Sequence, residues 1–254
     1  MDPLKRFSTR AENYAKYRPG YPPAVIGLLE NQCGLNTDSV VADIGSGTGI
    51  LSELFLKKGC CVLGVEPNEA MRLTAERLLQ HYPNFSSVAG TAESTTLSSG
   101  SVDFITAGQA FHWFDHENAK REFARILKPR AWIVLVWNER QLDTTPFLSS
   151  YEDLLLRYGT DYSQIRHETV LGAIDEFFSP EQVQCVTFEN AQHFDFESLK
   201  GRVQSASYTP EQSAPEFEPM MVELRRIFDA HQVHNTVTFL YATKVYYGRA
   251  SQSF

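Results

Sequence analysis

The chain has 254 residues, a net charge of -8 and an ordinary globular composition, with 43% hydrophobic and 21% charged residues. This length suits one large α/β domain, which we expect to span residues 1–254. No lysine- or arginine-rich run and no membrane-length apolar run occurs, so we expect neither nucleic-acid nor membrane binding. The N-terminal sequence lacks a signal-peptide pattern and the four cysteines form no C-x-x-C pair, which favours a cytoplasmic protein with reduced thiols.

Residues 1–38 precede the first predicted strand and are rich in tyrosine and proline. Pro22 and Pro23 suit the first turn of a helix that continues through Leu29. The segment before them has two interpretations. It is either an aromatic arm packed on the core, or a lid over a ligand site that Tyr14 or Arg18 reaches.

From residue 39 to 137, apolar strand patterns alternate with amphipathic helix patterns. Strands are predicted over 40–44, 60–65, 85–89, 101–107 and 132–137. Helices are predicted over 49–58, 69–80 and 116–127. This alternation indicates βαβ units, and right-handed crossovers then give a doubly wound, parallel sheet.

The alternation stops at residue 138, which predicts a helical insertion after the fifth strand. The later patterns predict a helix over 143–159, a strand over 183–196, a helix over 199–207, a helix over 216–231 and a strand over 236–247. We expect the last strand to be an antiparallel edge strand. The fold prediction is therefore an α/β protein with a doubly wound seven-stranded sheet, mostly parallel, whose last strand is antiparallel.

A glycine-rich loop, Asp43-Ile-Gly-Ser-Gly-Thr-Gly49, joins the first strand to the helix that follows. Glycines let the backbone approach a ligand closely, and the helix N-terminus favours an anionic group. A dinucleotide fingerprint, G-x-G-x-x-G, would have its last glycine at position 50, which is Ile50. The loop therefore predicts a nucleotide-like ligand and argues against a nicotinamide-dependent oxidoreductase.

Further motifs follow in order along the chain. The set is Tyr14…Arg18-Pro19-x-Tyr21-Pro22, Asp43–Gly49, Gly64-Val-Glu66-Pro67-Asn68, Gly90-Thr-Ala-Glu93, Ser101-Val-Asp103, Ala110-Phe111-His112-Trp113-Phe114 and Leu127-Lys128-Pro129. With these motifs the chain resembles the class I S-adenosylmethionine (SAM) methyltransferases of Rossmann-like fold. Within them it is most similar to the small-molecule branch of trans-aconitate methyltransferase-like and ubiquinone/menaquinone-type enzymes. The family usually has two glycines where this chain has Arg130 and Ala131, so Arg130 must adopt the turn geometry or change it.

The resemblance implies SAM as the cofactor and residues 39–137 as the SAM-binding core. Glu66 lies about 20 residues past the glycine loop, where an acidic residue accepts the ribose hydroxyls. The implied cofactor residues are Asp43, Gly45, Ser46, Gly47, Gly49, Glu66, Pro67, Asn68, Thr91, Ala92, Glu93, Gln109, Ala110 and Phe111. Asp43 has two open roles, which are contact with the ligand and support of the glycine loop.

Methyl transfer from a sulfonium requires alignment of the reacting atoms, and a general base only if the acceptor arrives protonated. The catalytic candidates are His112, Tyr14 and Arg18, with packing or SAM contact as the alternative for His112. Candidates for substrate contact are Trp113, Trp137 and Tyr208. His112 and His116 are four residues apart, but no third ligand has fitting spacing, so we expect no metal.

Residues 138–182 and 197–235 are predicted to form the substrate-side cap. We expect a small-molecule acceptor that is methylated on oxygen, with a carboxylate as one option. An arginine should bind such a carboxylate, and the candidates are Arg18, Arg140, Arg166 and Arg202. The alternative is a SAM-binding regulatory or scaffolding protein without turnover. For the oligomeric state we expect a monomer or weak homodimer.

Overall fold

The structure, a computed structural model, describes residues 15–160, 162, 170–206 and 208–249. Its helices are α1 (Ala24–Cys33), α2 (Ile50–Lys58), α3 (Glu69–Leu79), α4 (His116–Ile126), α5 (Pro146–Tyr158), α6 (Val170–Phe178), α7 (Phe196–Gln204) and α8 (Phe217–His231). Its strands are β1 (Val40–Ile44), β2 (Cys61–Val65), β3 (Phe85–Val88), β4 (Val102–Gly108), β5 (Leu127–Arg140), β6 (Gln184–Phe194) and β7 (Val237–Arg249). A short 3-10 helix, Phe111–Trp113, precedes α4. Among the described helices, none combines the length and the apolar character that a membrane span requires.

The strands form one seven-stranded sheet in the order β3-β2-β1-β4-β5-β7-β6. β1 to β5 pair in parallel, whereas β7 is antiparallel to both of its neighbours. The predicted seven-stranded α/β sheet with an antiparallel last strand is therefore confirmed. The predicted edge position of that strand is wrong, because β6 forms the edge and β7 lies between β5 and β6. The burial patterns give the reason: β7 has no exposed residue before Arg249, whereas exposed residues recur along β6.

Local sequence accounts for the ends of the helices that lead into the site. The Asn68 side chain accepts a hydrogen bond from the Met71 amide at 3.1 Å and so caps the start of α3. The Asp115 side chain caps α4 in the same way through the Asn118 amide at 3.2 Å. Such caps fix the point at which each loop ends, so they hold the loops at the carboxyl ends of the strands in place.

Arg130, where the family usually has glycine, lies inside β5, between the pairings of Leu127 and Trp132 with β4. Arg130 has φ +64°, in the left-handed region where glycine is favoured, so it adopts the turn geometry and does not change it. The strand β5 is also longer than the predicted 132–137. It extends to Arg140 because β7 pairs with it as far as Tyr241, beyond its last pairing with β4 at Val136.

The region after β5 contains both a confirmed and an unpredicted helix. The predicted helix over 143–159 is present as α5, whereas α6 was not predicted. Ile174, Phe177 and Phe178 of α6 belong to the same buried cluster as Phe111. A second cluster joins α5, α7 and α8 to β7, so these cap helices pack on the sheet as one body. The division into arm, core and cap stays a prediction.

Candidate active site

Two adjoining cavities lie at the carboxyl ends of the parallel strands, where sheets of this kind bind ligands. The larger cavity has a volume of about 500 Å³ and the smaller about 320 Å³. Both are lined by Gly45, Gly47, Gly108 and Gln109, so they meet between the glycine loop after β1 and the end of β4. A ligand in one cavity can therefore reach a ligand in the other at this boundary.

The glycine loop forms the wall that the two cavities share. The Gly45 amide donates to the Val65 carbonyl at 2.8 Å, which ties the loop to β2. Gly47 has φ +56°, and no atom lies within 4 Å of the position where a Cβ would project. A side chain at Gly47 would therefore be strained and would occupy ligand space. This open cradle fits the close approach of a ligand to the loop backbone.

Glu66, at the carboxyl end of β2, connects the glycine loop to α3. Its Oε2 accepts a hydrogen bond from the Gly47 amide at 3.0 Å, and its Oε1 accepts one from the Asn68 amide at 2.9 Å. The residue is only 9% exposed, and this burial raises the pKa of its carboxyl group. Each oxygen keeps acceptor capacity, so the carboxylate can take two ligand hydroxyls from the smaller cavity. This arrangement fits a ribose.

Most of the predicted cofactor residues lie together. Those that line the smaller cavity are Gly45, Gly47, Glu66, Pro67, Asn68, Thr91, Ala92, Glu93, Gln109 and Ala110. Ser46 and Asp43 line the larger cavity. Gly49 and Phe111 line neither, because Gly49 lies against Leu79 and Phe111 is buried against His116 and Phe177.

The sequence analysis missed two side chains of the smaller cavity, Met71 and Phe114. Met71 lies within the predicted helix over 69–80, and its position one turn after Asn68 was the available signal. Phe114 belongs to a quoted motif but had no assigned role.

Asp43 is fully buried beneath the glycine loop. Ser52 Oγ donates to its Oδ2 at 2.6 Å, and Thr106 Oγ1 donates to its Oδ1 at 3.1 Å. Burial raises the pKa of Asp43 to about 6, against the lowering effect of these hydrogen bonds. Because both oxygens have partners on α2 and β4, the geometry favours the supporting role over direct ligand contact.

The described part of the N-terminal arm, residues 15–21, lies along the larger cavity. Asn138 Nδ2 donates to the Gly20 carbonyl at 3.1 Å, and Asn190 Nδ2 donates to the same carbonyl at 2.8 Å. Arg18 Nη2 donates to the Ser205 carbonyl at 3.4 Å. Arg18 and Tyr21 both line the larger cavity, whereas Tyr14 lies outside the described residues. The arm is thus both packed on the fold and part of the cavity wall.

Gln109 stands at the boundary of the two cavities with an unusual backbone. Its φ is +56°, which is rare for a residue other than glycine and is typical of strained functional positions. Gln109 Oε1 accepts a hydrogen bond from the Asn138 amide at 3.0 Å, which joins the ends of β4 and β5. Trp137, just before Asn138, lines the larger cavity as predicted for a substrate contact.

The cap contributes two arginines and several tyrosines to the larger cavity. Arg140 is paired with Glu152, and Tyr162 Oη donates to that carboxylate at 2.6 Å. Arg202 is 5% exposed and lies on α7. Tyr208, a predicted substrate residue, lines the same cavity with its ring 4.9 Å from that of Tyr162. Arg166 lies outside the described residues.

The structure separates His112 from the other site candidates. His112 lies in the 3-10 helix and lines neither cavity, so its catalytic role stays a prediction. Trp113 lines the smaller cavity and is 46% exposed, which places this predicted substrate residue beside the cofactor candidates. His116 stacks on Phe111, and within the described residues no group of histidine, cysteine and carboxylate side chains could hold a metal.

Comparison with known proteins identifies the central part of the chain. Residues 42–135 match the family described as a methyltransferase domain. An uncharacterised methyltransferase-like protein of Schizosaccharomyces pombe is 31% identical over 163 residues, which cover 62% of this chain and 60% of that protein. An uncharacterised methyltransferase of Mycobacterium tuberculosis is 35% identical over 134 residues, covering 53% of this chain and 52% of that protein. The chain thus matches only part of the length of each relative.

Solved structures share the fold over nearly the whole chain. A candidate type II methyltransferase from Anaeromyxobacter dehalogenans has a TM-score of 0.69 at 20% identity, covering 92% of this chain and 98% of that chain. A SAM-dependent methyltransferase from Aquifex aeolicus has a TM-score of 0.55 at 16% identity, covering 99% and 100%. At such identities the likeness shows the fold alone. Residues 42–135 thus match a methyltransferase domain and lie within a seven-stranded sheet of the methyltransferase fold, for which SAM is the implied cofactor.

Proposed function

We propose that the whole chain is an active enzyme that transfers a methyl group from SAM to a small-molecule acceptor, on oxygen. The observation that supports this is the pair of adjoining cavities. The smaller one is lined by the residues of the SAM motifs, and the larger one opens onto the same glycine loop. A volume of about 500 Å³ is that of a site for a metabolite-sized molecule.

The chain's own residues bind the cofactor and the acceptor and orient them for the reaction. Glu66 and the backbone of the glycine loop hold the cofactor's polar groups in the smaller cavity, while Gln109 and Asn138 fix the boundary at which the reactants meet. The arm and the cap contribute side chains to the wall of the larger cavity. When bound, SAM would supply a methyl group on a positively charged sulfur to a deprotonated oxygen of the acceptor, and the electron pair of the broken carbon–sulfur bond would stay on that sulfur. Alignment of this kind contributes about 7–11 kcal/mol to the lowering of such barriers.

The polar lining of the larger cavity supports oxygen as the accepting atom. Four cationic side chains line it, namely Arg18, Arg140, Arg202 and Lys244, together with the side chains of Tyr21, Tyr162, Tyr208 and Tyr241. Hydroxyl and guanidinium groups donate hydrogen bonds to oxygen. A guanidinium such as that of Arg202, which has no carboxylate partner among the described residues, disfavours a protonated amine, because like charges repel.

The test measures transfer of labelled methyl from SAM to a panel of carboxylic acids, phenols and amines. We also expect Glu66→Gln to weaken SAM binding about 10–100-fold in calorimetry, because hydrogen bonds to a charged group are lost. The matched control is Glu69→Gln, since Glu69 is exposed in the first turn of α3 and lines neither cavity.

Three outcomes separate the alternatives. Transfer to acids or phenols supports the proposal, and transfer to amines alone contradicts the choice of oxygen. Failure of the folded wild-type protein to bind SAM would end the proposal. Tight SAM binding without product across acceptors and cell extracts would favour the regulatory or scaffolding alternative.

A further inference from the structure

We propose that Arg202 binds a carboxylate of the acceptor, so that the substrates are small organic acids. This inference rests on the proposed function and narrows its substrate class. It starts from a charge in the larger cavity that has no carboxylate partner among the described residues. Arg202 is 5% exposed and lines this cavity from α7. Its Nε and Nη1 atoms are buried and have no hydrogen-bond partner among the described residues.

Two other cations that line the cavity show how this fold neutralises a charged side chain that has a structural role. Arg140 lines the same cavity and is paired with Glu152, and Lys244 lies 2.7 Å from Glu139 Oε2. The polar groups near Arg202 are the hydroxyls of Tyr241, Tyr208 and Tyr151. These partners are phenols. An isolated buried charge is strongly unfavourable, so a bound anion would stabilise Arg202.

A second buried donor, on another residue of the cavity wall, also lacks an acceptor among the described residues. Trp137 is 3% exposed, and its Nε1 is buried without a hydrogen-bond partner among the described residues. An indole N–H can only donate, and a guanidinium can only donate. The unmet need of both side chains is therefore for acceptor atoms, which a carboxylate supplies in a planar pair that matches the guanidinium fork.

The charge balance favours a carboxylate over a phosphate. Arg140 and Lys244 already have carboxylate partners, and Arg18 donates to the Ser205 carbonyl, so these three cations are engaged by the protein. The charge left without a counterion at Arg202 matches a single negative charge. A phosphate dianion would leave part of its charge uncompensated in this buried site.

The experiment uses the smallest probes of each class and requires no turnover. Thermal unfolding of the full chain is followed in 100 mM sodium acetate, acetamide or phosphate, each at the same ionic strength set with sodium chloride. The proteins are wild type, Arg202→Met, Arg202→Lys and Arg226→Met. Arg226→Met is the matched control, because Arg226 lies on α8 with its side chain 70% exposed.

We expect acetate to raise the Tm of wild type and Arg226→Met by about 3–6 °C over chloride, as for a ligand present at roughly ten times its Kd. Acetamide and phosphate should have no such effect. The acetate effect should vanish in Arg202→Met and shrink in Arg202→Lys, which keeps the charge and loses the fork. SAM affinity should stay within about two-fold in all four proteins, since Arg202 does not line the smaller cavity.

The other outcomes overturn the inference. An equal acetate effect in wild type and Arg202→Met would show that acetate acts elsewhere, and stabilisation by acetamide would show that charge is not recognised. Stabilisation by phosphate in place of acetate would assign a phosphate ester. No acetate effect in wild type would mean that Arg202 binds no anion. The labelled-methyl assay tests the proposed function separately: transfer to a phenol would show that methyl transfer stands and that only the acceptor class is wrong.

Discussion

The two cavities are built from the chain in different ways. The smaller cavity is lined by the loops that follow β1, β2, β3 and β4, and by the first turn of α3. The larger cavity adds the N-terminal arm, the end of β5, α7 and β7, which are distant in the sequence. The smaller cavity thus depends on local loop chemistry, whereas the larger depends on how remote elements pack. We expect substitutions in the first to alter cofactor affinity and those in the second to alter acceptor use.

We expect the largest effect at Asp43, the buried side chain that supports the glycine loop. Burial raises the pKa of Asp43 from 3.8 to about 6, so the folded chain holds this proton more tightly than the unfolded chain. The contribution of Asp43 to stability is then fully present below about pH 4 and is lost as the pH rises to about 6. At about 1.4 kcal/mol per pKa unit, the loss is roughly 3 kcal/mol.

Asp43→Asn removes this titration and keeps a polar side chain beside Ser52 and Thr106. Urea unfolding of both proteins is measured at pH 4, 5, 6 and 7. The free energy of unfolding of the variant should increase relative to that of wild type as the pH rises from 4 to 6. Parallel stability curves would contradict the prediction. A loss of SAM affinity far larger than the stability change would indicate that Asp43 contacts the ligand.

The next effect concerns the wall that the cavities share. Gly47→Ala adds a methyl group that projects into open ligand space at φ +56°. We expect SAM affinity to fall about 10–100-fold, as for overpacking of 1–3 kcal/mol, and stability to fall by about 1–2 kcal/mol from the left-handed backbone. Calorimetry and urea unfolding measure the two effects separately.

Gly100→Ala is the matched control for Gly47→Ala. Gly100 has φ +60° and equally open surroundings, but lines neither cavity. It should lose stability by a similar amount and keep its SAM affinity. If both variants lost affinity equally, general destabilisation would explain the result and Gly47 would have no direct role.

The same contrast explains which parts were predictable from sequence. Glu66 and the loop at Gly45–Gly49 could be predicted, since a strand, a turn and a helix start place them within a short segment. Arg202 could be named only as one of four arginines. What distinguishes it from Arg140 is the pairing of Arg140 with Glu152, which arises when β5 meets α5. The sequence analysis also missed α6, although the spacing of Ile174, Phe177 and Phe178 is helical.

The smallest expected effect tests the packing of the arm over the larger cavity. A Cβ on Gly201 would lie 2.2 Å from Tyr17 Cε2, so Gly201→Ala must displace the Tyr17 ring. Because Tyr17 precedes Arg18 in the cavity wall, we expect the acceptor KM to rise about 2–10-fold, the cost of reordering one or two side chains on binding. SAM affinity should stay unchanged.

Gly172→Ala is the matched control, since Gly172 is also helical and has no atom within 4 Å of its added Cβ. It should gain about 0.5–1 kcal/mol of stability from helix propensity and keep the wild-type KM. An unchanged acceptor KM in Gly201→Ala would show that the arm packs on the fold without shaping the acceptor site, and the larger cavity would then depend on the cap alone.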